Sequence, residues 1–293
     1  MTSGMIDGTS ARAVEPLTPT WTRDEADSAS GDLLEMPGIS ALAGAANVIM
    51  QLSLPAVGYG VAESTVDSGN LFKHPIKRGR TTLAYLAVAV NGTPADRKAY
   101  RKAVGHSHAQ VKSTDSSPVK YSAFDPALQL WVAACLYKGW EDMQHLYGDP
   151  AAVTEEAYQQ GALMGTTLQM PRDMWPATRA DFQEYWDRTV AGLVIDDTIR
   201  ELLLSISRFE FLPRPLSTVI GGFGLFLTTG FLPPEFRDKM GLEWSGRDQR
   251  MFDAHNRVAR AVAVRLPKPL RAFPFNLYLW DVRRRIKAGK RLT

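Results

Sequence analysis

Two histidines stand two residues apart in TPADRKAYRKAVGHSHAQVKS, residues 93–113. Thr93 can cap a helix, Pro94 suits its first turn and Asp96 holds the third position of a capping box. On that helix Tyr100, Val104, His108 and Val111 fall three or four residues apart and share a face. His106 is about 200° away at ~100° per residue, on the side of Lys98, Lys102 and Gln110. His108 therefore points inward and His106 outward. A buried imidazole without a partner costs about 1–3 kcal/mol. A carbonyl, a carboxylate or a metal ion can each fill that role, and helical phase does not choose among them.

The second group lies just upstream. Arg78–Asn91 reads as a helix with Leu83, Leu86 and Val90 at core positions. Thr81, Thr82 and Tyr85 follow Arg78 by three, four and seven residues and share its face, while Arg80 projects elsewhere. His108 facing this surface is the best candidate site the residues offer. The bland alternatives stand beside it: a core histidine, an arginine paired with an acid, and threonines capping their own helix.

Other chemistries lack their signatures. There is no phosphate-binding glycine loop, the GGFG at 221–224 lying within an apolar run with no strand before it. HExxH, CxxC and GxSxG are absent, and no histidine or carboxylate set has the spacing of a zinc or di-iron site. One cysteine, Cys135, excludes an internal disulfide and fits a reducing compartment. No basic-then-apolar leader opens the chain, so the expected location is cytoplasmic.

The elements that must position these residues read as helices throughout. Residues 1–33 are rich in Ser, Thr, Asp and Gly and are expected to form a disordered arm, with order beginning near Pro37. An apolar helix is expected over Ile39–Leu54, ended by Pro55, with a connecting segment from Gly58 to Gly69. Further helices are expected from Asp125 to about Tyr147, Thr154 to Leu168, after the Thr178 cap, Ile199 to Phe209, Ser245 to about Leu266, and Phe275 to Lys290. Leu216–Leu232 is the most apolar stretch and reads as a buried core helix at the lower edge of membrane-span length. No run alternates at period two, so residues 34–293 are expected to form one all-α domain of about nine or ten helices.

Net charge is +3, unevenly spread. From Arg257 onward there are eleven Lys/Arg and one acid, Asp281, while the rest of the chain holds 23 basic and 30 acidic residues. A basic tail of this kind suits either a peripheral membrane contact or folding back on an acidic body. Nucleic-acid binding is not expected, because the tail's aromatics adjoin proline and leucine rather than forming a stacking platform.

Three stretches in succession carry a resemblance: VIMQLSLPAVGYGVAEST from Val48, HPIKRGRTTLAYLAVAVNGT from His74, and HAQVKS from His108 followed by YSAFDPALQLWVAACL from Tyr121. This succession resembles the MpaB-type oxygenase family, relatives of the rubber-cleaving latex clearing proteins, over about Gly38 to Leu242. The resemblance implies an all-helical domain that binds haem b, with His108 of the His-x-x-Val pattern as axial iron ligand and O₂ as co-substrate. It places Arg78 and Thr82 on the distal side, and Thr81 where relatives carry a basic residue. A shifted register, Lys77-x-x-Arg80-Thr81, keeps that residue, but Arg78, Thr81 and Thr82 share a face and are preferred. Ser113 replaces the glycine that often follows the motif. The resemblance also implies that Tyr85, Val104, Val111, Leu128 and Trp131 join His108 in binding the cofactor, and Trp131, Tyr85, Leu128 and the apolar 39–54 helix would make a dry pocket for an apolar, isoprenoid-like substrate. Trp131 and Asp125 also read as structural, by packing and by capping. Carbon–carbon double-bond cleavage, hydroxylation and desaturation are all open, as is the electron donor. The alternative is a non-catalytic helical haem- or lipid-binding protein that docks on membranes through Phe273, Phe275, Leu277, Leu279 and Trp280 among the tail arginines.

Overall fold

The computed structural model describes residues 31–293 apart from Asp32 and Glu35 and the side chain of Ser68. It is all-α, and its one β-type pairing is an isolated bridge between Lys112 and Ser122. After a 3₁₀ turn at Gly38–Ala43 come α1 Gly44–Leu52, α2 Pro55–Ala62, α3 Pro75–Asn91, α4 Pro94–His108 and α5 Pro126–Tyr147. Then follow α6 Glu155–Gly161, α7 Leu163–Thr166, α8 Arg179–Gly192, α9 Asp197–Ser207 and α10 Arg214–Phe231. The chain ends with α11 Pro234–Met240, α12 Gly246–Ala263, α13 Lys268–Arg271 and α14 Phe275–Lys287. The helices outnumber the nine or ten expected because several are single or double turns that an apolar-period reading merges or misses.

Most starts fall where the caps place them. Thr93/Asp96, Thr178/Asp181 and Ser245/Asp248 each form a two-way capping box. Asp125 and Asp196 accept from backbone N–H groups at the heads of α5 and α9. Pro75, Pro94 and Pro126 occupy first-turn positions, where a missing N–H costs nothing.

Several expected elements differ. The run 39–54 is a 3₁₀ turn plus α1, and Pro55 opens α2 as well as ending what precedes it. The chain turns by 110° between these helices. The segment from Gly58 is therefore helical as far as Ala62, with Gly58 and Gly60 buried. A Cβ at Gly58 would stand 2.6 Å from the Leu52 carbonyl oxygen and 3.0 Å from Ile199. The helix expected over 154–168 breaks at Ala162 into α6 and α7. α12 stops at Ala263, three residues early, and the short α13 was not expected. The described chain packs before Pro37: Leu34 is fully buried and the Leu33 N–H donates to Gln160 at 2.9 Å. The remainder of the expected arm, residues 1–30, lies outside the described residues.

Two apolar clusters form the interior. The larger gathers α1, α5, α8, α9 and the ends of α10 and α12 around Trp131, which stacks on Trp186 with centroids 5.3 Å apart. The smaller joins Ala84, Ala87 and Val88 of α3 and Tyr100 of α4 to Phe275, Leu279 and Val282 of α14. Met36 touches both. No single helix among the described residues is long and apolar enough to cross a membrane.

The basic tail thus folds back. Arg283 pairs with Asp96 at 3.0 Å, and Asp281 takes Arg284, Arg285 and, from α3, Arg80. Phe275 and Leu279, expected among the anchor residues, are core instead, whereas Phe273, Leu277 and Trp280 face out. Asp96 serves both the α4 cap and this docking. Burial raises its carboxyl pKa, but the Thr93 backbone N–H and Arg283 outweigh that, and the net shift is downward. A folded value below the unfolded one means that its stabilisation is complete above about pH 4 and lost as pH falls through the folded value. Asp96→Ala is expected to cost roughly 1–2 kcal/mol at neutral pH and to flatten the acid limb of a urea-midpoint profile.

Candidate functional site

Helix α3 carries Arg78 in its first turn, and α4 runs back alongside it. The Tyr100 hydroxyl donates to the Thr81 carbonyl at 2.7 Å, which locks the two helices in register. Arg78 is exposed by surface area, yet the protein packed around it is the main cause of a lowered guanidinium pKa. Among the described residues its guanidinium has no hydrogen-bond or carboxylate partner.

His108 is the last residue of α4. It is half-buried, and its Nδ1 is sealed from solvent without a hydrogen-bond partner. Burial pushes the imidazole pKa down and Gln169 opposes that, while the charge on Arg78 lowers it further. Arg78 and His108 are thus close enough to disfavour a second cation, and the ring is held neutral. Phe124 meets the imidazole edge-on, centroids 6.2 Å apart. It is placed by the return of the chain after His108, where Ser113 N–H donates to Tyr121 O and Ala123 N–H to Val111 O.

A segment that the sequence did not flag closes the site. At α7 and just beyond, Met164 O accepts from the Tyr85 hydroxyl, Thr166 O accepts from Arg101 Nε at 2.9 Å, and Gln169 is clasped by Gln129. Gln129 is buried; its Nε2 donates to Ala123 O and to Gln169 Oε1, and its Oε1 accepts from the Gln169 backbone N–H. α3, α4 and α5 are therefore tied to one short stretch. Gly165 lets that stretch approach, since a Cβ there would stand 2.6 Å from Met170 and 3.2 Å from Ala133. The available signals were weak: Gln129 is a polar residue in an apolar turn of α5, and Arg101 lies seven residues before His108 on the same face. Gln129→Ala strands the Gln169 N–H and the Ala123 carbonyl, and is expected to cost about 1–3 kcal/mol in chemical denaturation.

The other expected site residues divide. The Thr81 hydroxyl is spent on the Arg78 carbonyl at 3.0 Å, while Thr82 is exposed. Tyr85 sits 6.4 Å from Tyr100, its phenol pKa raised by burial. Val104 packs in the smaller cluster beside Tyr85. Val111 lies past the end of α4, not on it, and its N–H donates to His108 O. It reaches the site side through the chain's return and packs near Gly60 and Tyr121. Leu128 is half-buried against the core. Trp131 has no exposed surface and donates its indole N–H to Gln51 O at 3.0 Å, the arrangement of a packing residue. Arg80, from the alternative register, turns to Asp281 at 3.7 Å, away from Arg78's face. His106 and His145 are exposed, and His74 pairs with Asp67 at 2.8 Å.

Two curated mycobacterial proteins, both uncharacterized, from Mycobacterium bovis and Mycobacterium tuberculosis, are each 54% identical over 251 residues, covering 85% of this chain and 98% of theirs. No solved structure gave a significant match. The model of the family described as ER-bound oxygenase mpaB/B'/Rubber oxygenase, catalytic domain, matches residues 33–261. That match covers the packed helices from Leu33 through most of α12, including Arg78 and His108, and the chain belongs to this family of oxygenase catalytic domains.

Proposed function

We propose that the protein is a haem b–dependent oxygenase that uses O₂ on an apolar substrate, in which His108 would hold the haem iron and Arg78 and Thr82 would offer donors to the oxygen being activated. The observation that carries this reading is an imidazole whose Nδ1 is sealed without a hydrogen-bond partner, close enough to the Arg78 guanidinium to feel its charge. A sealed nitrogen without a partner is costly in a folded protein, and a bound group that takes it up removes that cost.

The donor set bears on which group that is. A bare ion needs three or four protein ligands. Among the described residues no three His, Cys, Asp or Glu side chains converge to hold one. A porphyrin supplies four nitrogens itself and asks the protein for a single axial donor, which one imidazole satisfies. When bound, haem supplies an iron centre that activates O₂. The rest falls to the chain. His108 offers a neutral nitrogen, with Gln169 beside the ring and Phe124 limiting its swing. Arg78 offers N–H donors free of any carboxylate among the described residues, and they would act more strongly once a bound group excludes water from them. Thr82 adds a hydroxyl within one turn of Arg78. Leu128, Val111 and the α1–α2 corner supply apolar walls. With Thr81's hydroxyl bonded to its own helix, any proton relay on this face falls to Arg78 and Thr82.

The test is the purified protein expressed with ample haem supply. The expected result is a Soret band and O₂ uptake that depends on a reductant and an apolar alkene. A protein that takes up no haem under these conditions overturns the reading.

A further inference from the structure

α10 was expected to be a buried core helix, and only its C-terminal half is. Leu227 to Phe231 are buried, whereas Leu216, Val219 and Phe223 are exposed, Val219 at 80%. They lie at i, i+3 and i+7 and form one outward stripe. α12 runs antiparallel to α10: Phe231 meets Phe252, and Phe223 meets His255 further along. That direction sets the α10 stripe beside Val258 and Val262, which are 65% and 56% exposed. The surface continues through Leu266 and Leu270 to Phe273, also exposed. The 3₁₀ turn at Gly38–Ala43 joins this end to α10, and Gly38 lies against the backbone of Arg271 and Phe273.

The charge on this face has one sign. Residues 254–280 contain no Asp or Glu, and neither do residues 211–234. Arg257, Arg265, Lys268 and Arg271 are exposed, with no carboxylate partner among the described residues. At the adjoining start of α14, Trp280 is exposed, with Arg284 stacked 5.4 Å from its ring centroid.

We infer that the face built from the N-terminal half of α10, the C-terminal half of α12 and residues 264–273 docks on an anionic phospholipid bilayer. A contiguous exposed apolar patch marks an interaction site. Aliphatic and aromatic groups ringed by unpaired cations match the boundary between acyl chains and anionic headgroups. A second copy fits badly, because a two-fold contact would set these cations against themselves with no acid on the face to meet them. The anchor is therefore not the final helix, whose apolar side is spent on α3 and α4, but α10, α12 and the 264–273 segment. This inference is independent of the haem reading.

The experiment is flotation of the full chain with vesicles of phosphatidylcholine alone and of phosphatidylcholine mixed with phosphatidylglycerol. The protein is expected to float with the mixed vesicles and not with the neutral ones, and to be released by high salt. Each neutralised cation is expected to lower partition roughly fivefold, so Arg265→Gln with Lys268→Gln lowers it roughly thirtyfold. Val262→Asp with Phe273→Asp is expected to abolish flotation. All four positions are exposed, and circular dichroism checks that helicity is unchanged. Equal recovery on both vesicle types, no flotation on either, or flotation unchanged in both double variants overturns the proposal. So does a dimer that Val262→Asp with Phe273→Asp splits while lipid binding stays as it was.

Discussion

His108→Ala is expected to abolish the Soret band of the haem-loaded protein, while His106→Ala and His145→Ala leave it intact. The contrast between His106 and His108 is the informative one, because two residues on the same helix end separate by about half a turn. His106 lies on the wet side and is exposed, whereas His108 keeps a nitrogen sealed and unspent. Removing that ring takes away only its contact with Gln169, so the cofactor-free variant is expected to stay within about 1.5 kcal/mol of the parent in stability. A structural histidine bonded to a carbonyl would behave in the opposite way, losing stability in the cofactor-free protein. Acid adds a second readout. The imidazole pKa lies below its unfolded value, because burial and Arg78 disfavour the cation more than Gln169 favours it. Folding stability is then complete above about pH 6.5 and declines from there as pH falls through the folded value, where cofactor retention weakens as well. A His108→Ala protein with an unchanged Soret band removes His108 from the proposed role.

The helix caps are legible in single residues, because a cap is a local bargain: Thr93 and Asp96 satisfy each other's backbone N–H whatever surrounds them. Helical phase likewise separates His108 from His106, since it depends only on the rise and turn of one element. The clasp of Gln129 on Gln169 has no such signature. It joins residues 40 apart through amides whose worth depends on burial, and burial is a property of the packed molecule. The corner at Ser53–Leu54 escaped for a similar reason. An apolar run reads as one helix until small residues such as Gly58 show how closely the next helix crosses it. α10 shows the limit from the other side. Its composition is that of a core helix, but composition does not say which half of a helix meets a neighbour.

Arg78→Leu is expected to lower reductant-dependent O₂ turnover by about 10²–10³-fold while leaving the Soret absorbance per protein in place. The argument rests on what Arg78 lacks. A guanidinium with protein packed around it ordinarily holds a carboxylate or several carbonyls, because its desolvation is otherwise uncompensated. Arg80, two residues on, follows that rule by turning to Asp281. Arg78 has no such partner among the described residues, and its pKa is lowered by burial. Replacing an uncompensated cation by an apolar side chain of similar length removes that cost, so thermal stability is expected to hold or rise as activity falls. Arg78→Lys separates charge from shape. It keeps the charge but loses the planar array of donors, and is expected to recover only part of the activity. A purely structural arginine predicts the reverse pattern, with stability lost and turnover per folded molecule unchanged. Unchanged turnover in Arg78→Leu therefore moves the oxygen-facing role off α3's first turn, and a shared loss of Soret band and turnover makes Arg78 a determinant of cofactor binding instead.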